Sequence, residues 1–236
     1  LAVEIAGDKE RTKNILKESN IPVPDGVIVN DEEDLSDVVS KLNFPLVVKP
    51  VSGNHGRGVT TNIKTYGGLI HAFNKAREIS SSVIVEQYLE GNDYRLLLID
   101  GKLEAAALRE PAFVMGDGTK NIRELIEEEN LNPDRGDGHS KNLTKITFDS
   151  DMDFALSEKN LNLESIPKKY EKVYVKTTAN ISSGGTAIDI TDIVHPYNKV
   201  MAERIANIIG LDVMGIDIIA KDIETPIKKG SGGIIE

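Results

Sequence analysis

An α+β fold in two units is predicted by three features of the 236-residue sequence. Short apolar strands alternate with amphipathic helices up to about residue 92. Asp100-Gly101 then joins two long strands as a hairpin, and an Asp- and Gly-rich middle separates that hairpin from a last helix and two late strands. The length suits one two-lobed catalytic domain or two small domains, with a sizeable core either way.

Residues 8–19 are predicted as a helix capped by Asp8, with Ile15 and Leu16 buried, ending before Ile21-Pro22-Val23-Pro24. A strand follows at Gly26–Val29, then a helix capped by Asp31 and running to about Leu42, with Leu35, Val38, Val39 and Leu42 at three-and-four spacing. Pro45–Pro50 is an apolar strand that delivers Lys49 at its end. Residues 53–58 form a loop, 59–63 a strand, 65–80 a helix with Leu69, Ile70, Phe73 and Ala76 on one face, and 82–88 a strand. The long hairpin pairs Tyr94–Ile99 with Lys102–Arg109. A short acidic helix is expected near Ile122–Glu129, a strand at Tyr174–Thr178, a helix at His195–Ile209 ended by Gly210, and strands at 211–220 and 233–236.

Composition limits the partners. A net charge of -10 argues against a nucleic-acid partner, because affinity for phosphate chains needs a clustered basic surface. Without cysteine there is no disulfide, thiolate metal site or cysteine nucleophile. No apolar run approaches a membrane span and no signal peptide is evident, so a cytoplasmic protein is expected. The chain opens at Leu1 without a methionine and stops at Glu236 after Gly233-Ile234-Ile235, which reads as a piece of a longer protein.

Several constellations could carry chemistry. Gly53, Gly56 and Gly58, directly after a strand ending in Lys49, would let backbone amides approach phosphate oxygens, while Lys49, His55 and Arg57 supply charge and donors. A surface hairpin is the bland alternative. Glu86-Gln87-Tyr88-Leu89 and Asp93 join the two units, where acidic groups could accept from ribose hydroxyls and backbone groups could read a purine edge. Asp217 interrupts the apolar strand Met214–Ile219 and Glu236 follows Ile234-Ile235; carboxylates on neighbouring strands would offer oxygens to a hard cation such as magnesium. Asn180, Ser182, Ser183 and Gly184 form a polar loop able to hold a carboxylate or phosphate. Arg95 and Arg109, in the two hairpin strands, could clamp a carboxylate or a transferring phosphoryl group.

In this order the pieces resemble the ATP-grasp superfamily: Lys9 in an opening Asp-Lys helix, the Val47-Val48-Lys49-Pro50 strand, a glycine-rich loop, the Glu86 to Asp93 segment, and a late Asp and Glu. Ala2-Val3-Glu4-Ile5-Ala6, Gly53–Val59, Asp93-Tyr94-Arg95, Arg135–His139, Leu143–Ile146 and Ser183–Asp189 resemble more closely the central domain of the cyanophycin synthetase family. The resemblance implies an α+β ATP-grasp fold of two lobes, residues 1–92 and 93–236, each on a mostly antiparallel sheet with helices and with ATP in the cleft between them. It further implies that Lys9 and Lys49 contact ATP phosphates, with the loop of Gly53, His55, Gly56, Arg57 and Gly58 closing over them. That loop is expected to be mobile without nucleotide. Glu86, Gln87 and Leu89 would receive adenine, Asp93 the ribose, and Asp217 and Glu236 magnesium, a third ligand falling beyond the end of the chain.

By the same resemblance the domain would phosphorylate the C-terminal carboxylate of a growing polymer and let aspartate attack the acyl phosphate. Lys49, Arg95 and Arg109 would serve the phosphoryl transfer, and Arg95, Asn180, Ser182, Ser183 and Gly184 the substrate carboxylates. The expected partners are a small amino acid and a peptide or polymer, a Mur-ligase-like domain in the full-length chain, and further copies in a homo-oligomer. A glutathione-forming ligase domain and a nucleotide-binding regulatory module without turnover are the alternatives.

Overall fold

The computed structural model describes residues 2–52, 58–138 and 140–236. In chain order they form α1 (Ala2–Gly7), α2 (Lys9–Glu18), β1 (Gly26–Val29), α3 (Leu35–Lys41), β2 (Leu46–Pro50), β3 (Thr60–Ile63), α4 (Tyr66–Arg77), β4 (Val83–Gln87), β5 (Asn92–Ile99) and β6 (Lys102–Glu110). There follow β7 (Phe113–Met115), α5 (Ile122–Glu129), β8 (Arg135–Gly136), β9 (Leu143–Thr144), α6 (Ser150–Ser157), β10 (Lys172–Tyr174), β11 (Thr186–Asp189), α7 (Pro196–Ile209), β12 (Val213–Ala220) and β13 (Gly232–Ile234). The chain divides into two compact units, residues up to 108 together with 189–236, and residues 109–188.

The first unit holds two sheets. One is antiparallel in the order β1-β4-β2-β3. Leu46 and Val48 of β2 and Val83 and Val85 of β4 are buried with Leu35 and Val38 of α3 and Leu69 and Phe73 of α4. Because side chains alternate along a strand, Lys49 and Glu86 are turned to the opposite face from that core. The other sheet runs β6-β5-β12-β13, with β12 antiparallel to both β5 and β13. Leu96 and Leu98 of β5 and Ile216 and Ile218 of β12 are buried with Met201 and Ile205 of α7. The same alternation puts Arg95 and Asp217, direct partners in the β5–β12 register, on the face away from α7.

In the second unit, α5 and α6 bury Ile122, Ile126, Met152 and Leu156 with Val114 and Val173 of the antiparallel β7–β10 pair. The short β8 and β9 run parallel.

Most sequence-predicted elements recur within a few residues. Asp8 caps α2 by accepting from the Arg11 amide, Thr65 caps α4, and Asp100 and Gly101 turn the hairpin with φ of 48° and 72°. Three differ. Asp31 makes no capping bond, and residues 32–34 form a 3-10 turn before α3 begins at Leu35. The strand expected at 174–178 lies at 172–174, because register with β7 fixes it there. The helix α6, capped by Asp149, carries a face of Met152, Ala155 and Leu156 too short to stand out as a periodic run.

Candidate functional site

The cation-rich side of the first unit is assembled around Glu86. This carboxylate is 3% exposed and accepts from two ammonium groups, Lys49 Nζ at 2.9 Å on Oε2 and Lys13 Nζ on Oε1. Lys49 Nζ also donates to the Ile235 carbonyl at 3.4 Å, which ties the end of β2 to the segment after β13. Gly26 faces Glu86 across the β1–β4 ladder, and a Cβ there would fall 2.8 Å from Glu86 Cγ, so a glycine leaves the room this side chain occupies. Burial alone would raise the Glu86 carboxyl; the charges of Lys49 and Lys13 reverse that and hold it below the usual carboxylate range. Burial, reinforced by the nearby charge of Lys49, lowers the Lys13 ammonium from 10.5 to about 7, against the opposing pull of Glu86.

Lys9 stands one turn before Lys13 on α2, and its ammonium lies 3.8 Å from Glu236 Oε1. Glu236 and Asp217 are neighbours in the chain pairing that extends β12–β13: the Asp217 amide donates to the Glu236 carbonyl and the Ile235 amide to the Asp217 carbonyl, both at 2.8 Å. The Asp217 carboxylate, largely buried, is engaged by Arg95 through Nε and through Nη2, the latter at 3.0 Å. Gly215 makes this possible, since a Cβ at that position would stand 2.5 Å from Arg95 Nη1. Lys9, Lys13, Lys49 and Arg95 thus stand with Glu86, Asp217 and Glu236 in one linked set of charges within the unit.

Other expected residues have different surroundings. The Gln87 amide nitrogen donates to the Asn43 and Pro45 carbonyls, at 3.0 and 3.1 Å, so this side chain anchors the turn before β2. Leu89 and Asp93 are half-buried, Asp93 at the start of β5. Gly58 is described; Gly53, His55, Gly56 and Arg57 lie outside the described residues, and with them the expectation about loop mobility.

Arg109, Asn180, Ser182, Ser183 and Gly184 belong to the second unit. There Asn180 builds a tight turn: its Oδ1 accepts from the Ser182 amide, and its carbonyl from Ser183 Oγ and the amides of Ser183 and Gly185. Ser182 is exposed at the crest. Beneath it, Arg135 is buried and donates to the carbonyls of Gly184, at 3.0 Å, and Thr144, at 2.7 Å, while its Nε reaches Glu129 at 2.9 Å.

Sequence reasoning missed Lys13 and Arg135. The signal for Lys13 was its spacing of four from Lys9, which puts both on one helix face; for Arg135 it was a lone arginine in a Gly- and Asp-rich stretch. Among the described residues no three metal-ligating side chains cluster. Asp217 and Glu236 still fit a hard cation, because magnesium is commonly held by one or two carboxylates with substrate phosphates completing its shell.

The family model of the RimK-like ATP-grasp domain matches residues 6–121. Cyanophycin synthetases of Trichormus variabilis and of Synechocystis are each 46% identical over the whole chain, which spans 26% and 27% of their lengths. A glutathione biosynthesis bifunctional protein of Clostridium perfringens is 36% identical over 98% of the chain and 30% of its own length. Among solved structures, a bifunctional glutathione synthetase from Pasteurella multocida superposes with a TM-score of 0.66 at 33% identity, over 100% of this chain and 32% of the other. The D-alanine–D-alanine ligase of Bacillus anthracis shares the fold at 20% identity, with a TM-score of 0.61 over 100% of this chain and 57% of the other. These matches and the two-sheet architecture place the chain among the ATP-grasp proteins. Within them it is similar over its full length to the ATP-grasp part of cyanophycin synthetase, and it spans about a quarter of those relatives.

Proposed function

We propose that the chain is the catalytic ATP-grasp domain of a ligase that uses Mg-ATP to activate a carboxylate and join it to an amine. The observation that carries this is the convergence of Lys9, Lys13 and Lys49 with Glu86, Asp217 and Glu236 in one unit. Such a set suits a polyphosphate and a divalent cation together: ammonium groups for the phosphates, carboxylates for the ion. Asp217 and Glu236 would hold magnesium, which neutralises charge on the transferring phosphate when bound. Lys9 and Lys49 would hold the phosphates, and the backbone around Glu86, Gln87 and Leu89 the adenine, with Asp93 on the ribose. The two lobes flanking the nucleotide would be residues 1–92 and 93–236. Gly53, His55, Gly56, Arg57 and Gly58 complete the nucleotide site in this reading.

Arg95 has two uses here. It compensates Asp217 in the structure described, and with a cation on Asp217 its guanidinium becomes available to a substrate carboxylate or the transferred phosphoryl group. Arg109 is assigned the same work, and Asn180, Ser182, Ser183 and Gly184 bind substrate through the turn that Arg135 supports. Because phosphoryl transfer is governed by position and charge neutralisation, no covalent enzyme nucleophile is needed.

The full-length similarity at 46% favours cyanophycin as the polymer: its C-terminal carboxylate would be phosphorylated and then attacked by aspartate, with release of ADP and phosphate. A Mur-ligase-like domain in the complete protein, a homo-oligomer and a cytoplasmic location go with that assignment; no helix among the described residues is long and apolar enough to cross a membrane. The test is complete protein with primer, Mg-ATP, aspartate and arginine, read by mass spectrometry, where a mass increment of one aspartate is expected. No increment removes the substrate assignment. Dipeptide formation instead would favour the glutathione-synthetase type, for which the 36% identity over 98% of the chain speaks. Mg-ATP binding without substrate-dependent phosphate release would leave a regulatory module.

A further inference from the structure

One carboxylate needs one counter-charge, yet Glu86 has two. Lys49 occupies Oε2 from β2 and Lys13 occupies Oε1 from α2, and the three side chains are 10%, 13% and 3% exposed for Lys49, Lys13 and Glu86. Withdrawing a second ammonium from water costs several kcal/mol, and its repulsion with the first offsets what it gains from the shared carboxylate. Lys13 is therefore a poor stabilising residue where it stands. The group as a whole carries a surplus positive charge in a setting of low dielectric, which is the electrostatic form of an anion site. The charged groups facing Lys13 are Glu86 of β4 and Lys49 of β2; on its own helix Lys9 stands one turn away, matched by Glu236.

We infer that Lys13 is a positioning residue for the nucleotide phosphates, acting through Glu86: by holding the other carboxylate oxygen it shares the Glu86 charge with Lys49 and leaves part of that ammonium's charge, and one of its donors, for an incoming phosphate. The inference rests on reading this cluster as the nucleotide site. An ammonium has three donors, and Lys49 uses one on Glu86 and one, at 3.4 Å, on the Ile235 carbonyl. A phosphate would take the third. The arriving negative charge also favours the protonated form of Lys13, whose ammonium titrates near neutrality in the free protein. Nucleotide binding near pH 7 is then accompanied by proton uptake at Lys13, and affinity falls as pH rises above that value.

The test uses the complete protein and a non-hydrolysable ATP analogue with magnesium, titrated calorimetrically in buffers of different ionisation enthalpy between pH 6.5 and 8.5. Lys13→Arg keeps the charge but does not titrate in this range. It is expected to bind within a few-fold of the parent and to lose the proton uptake. Ionisation of the analogue's own phosphate is common to both proteins and cancels in the comparison. Lys13→Met is expected to raise KM for ATP by about ten-fold, with a smaller change in kcat, the scale on which partners of a binding group act. Unchanged proton uptake in Lys13→Arg overturns the inference even if Lys13→Met fails to fold. So does Lys13→Met with parental KM and pH profile. If the parent protein itself does not bind the analogue, the nucleotide reading of the cluster fails first and the role of Lys13 falls with it.

Discussion

In the first unit, Lys13, Lys49 and Arg95 meet carboxylates and a carbonyl brought from far along the chain, whereas in the second, buried Arg135 holds the Glu129 carboxylate and two backbone carbonyls from nearer in the chain. Lys13 and Glu86 are 73 residues apart, Arg95 and Asp217 122, and Lys49 reaches the Ile235 carbonyl across 186. Arg135 reaches Glu129 over 6 residues, the Thr144 carbonyl over 9 and the Gly184 carbonyl over 49. The contrast is between charge kept in exchangeable partnerships and charge committed to a scaffold. An incoming phosphate or cation can replace a carboxylate or an ammonium as partner, so Glu86, Asp217 and their cations are poised to be re-paired. Carbonyls held by a guanidinium have no such substitute, and Arg135 fixes the shape of the Asn180–Gly184 turn.

Substitutions that remove one side of a re-pairable set should therefore strike function, and those that remove a strut should strike local order. The largest effect is expected from Asp217→Asn. Phosphate release by the complete protein should fall by at least about 10²-fold, the scale for losing one preorganised charge interaction, with an unchanged circular dichroism spectrum. Retained activity would remove the metal role. Next, Glu86→Gln leaves Lys13 and Lys49 facing one another without a counter-charge, and urea unfolding should report a loss of about 3–5 kcal/mol. A smaller loss would mean that the lysines find water instead, and the cluster is more open than its burial suggests.

Arg135→Met should cost less, about 1.5–3 kcal/mol, the scale of one hydrogen bond to a charged group. Its signature is regional: amide exchange should quicken at residues 182–185 while residues 83–87 keep their protection. Acceleration in both regions alike would erase the contrast drawn above.

Two pH trends sharpen the picture. The Lys13 ammonium is depressed on folding, so the folded chain binds fewer protons than the unfolded one between about 7 and 10.5, and stability from this group rises with pH across that window. The Glu86 carboxyl is depressed too, and its contribution is present in full above the ordinary carboxylate range and is lost as pH falls below that range through the lower value the carboxyl has in the fold. Urea midpoints of the parent and of Lys13→Met should converge as the pH approaches 10, with the variant the more stable near neutrality. The smallest effect is expected from Gly215→Ala: the added methyl displaces the Arg95 guanidinium from Asp217, with a few-fold change in KM for the substrate carboxylate and little change for ATP. An equal rise in both would mean that Arg95 and Asp217 act only as a unit.

Much of this was written locally. Asp8 as a cap, Asp100-Gly101 as a hairpin turn and Gly210 as a helix stop all depend on neighbours within a few residues, and each recurs in the structure. The short apolar runs around them assigned Lys49 and Glu86 to their strands. The short elements were harder: α6 and the β7–β10 pair are specified by packing against one another rather than by any periodic run.

The sequence by itself therefore determined most of the longer strands and helices and which of their residues carry charge in apolar surroundings. Tertiary structure alone decided the partners. Lys13 reads as an ordinary helix lysine until α2 is laid beside β4. The carboxylate of Asp217 reads as an isolated buried charge until the β5–β12 register puts Arg95 opposite it and Gly215 clears the space. The physical reason is range: capping, turn and alternation energies act between residues close in the chain, while the energy of a buried charge depends on whatever the fold delivers within a few ångströms.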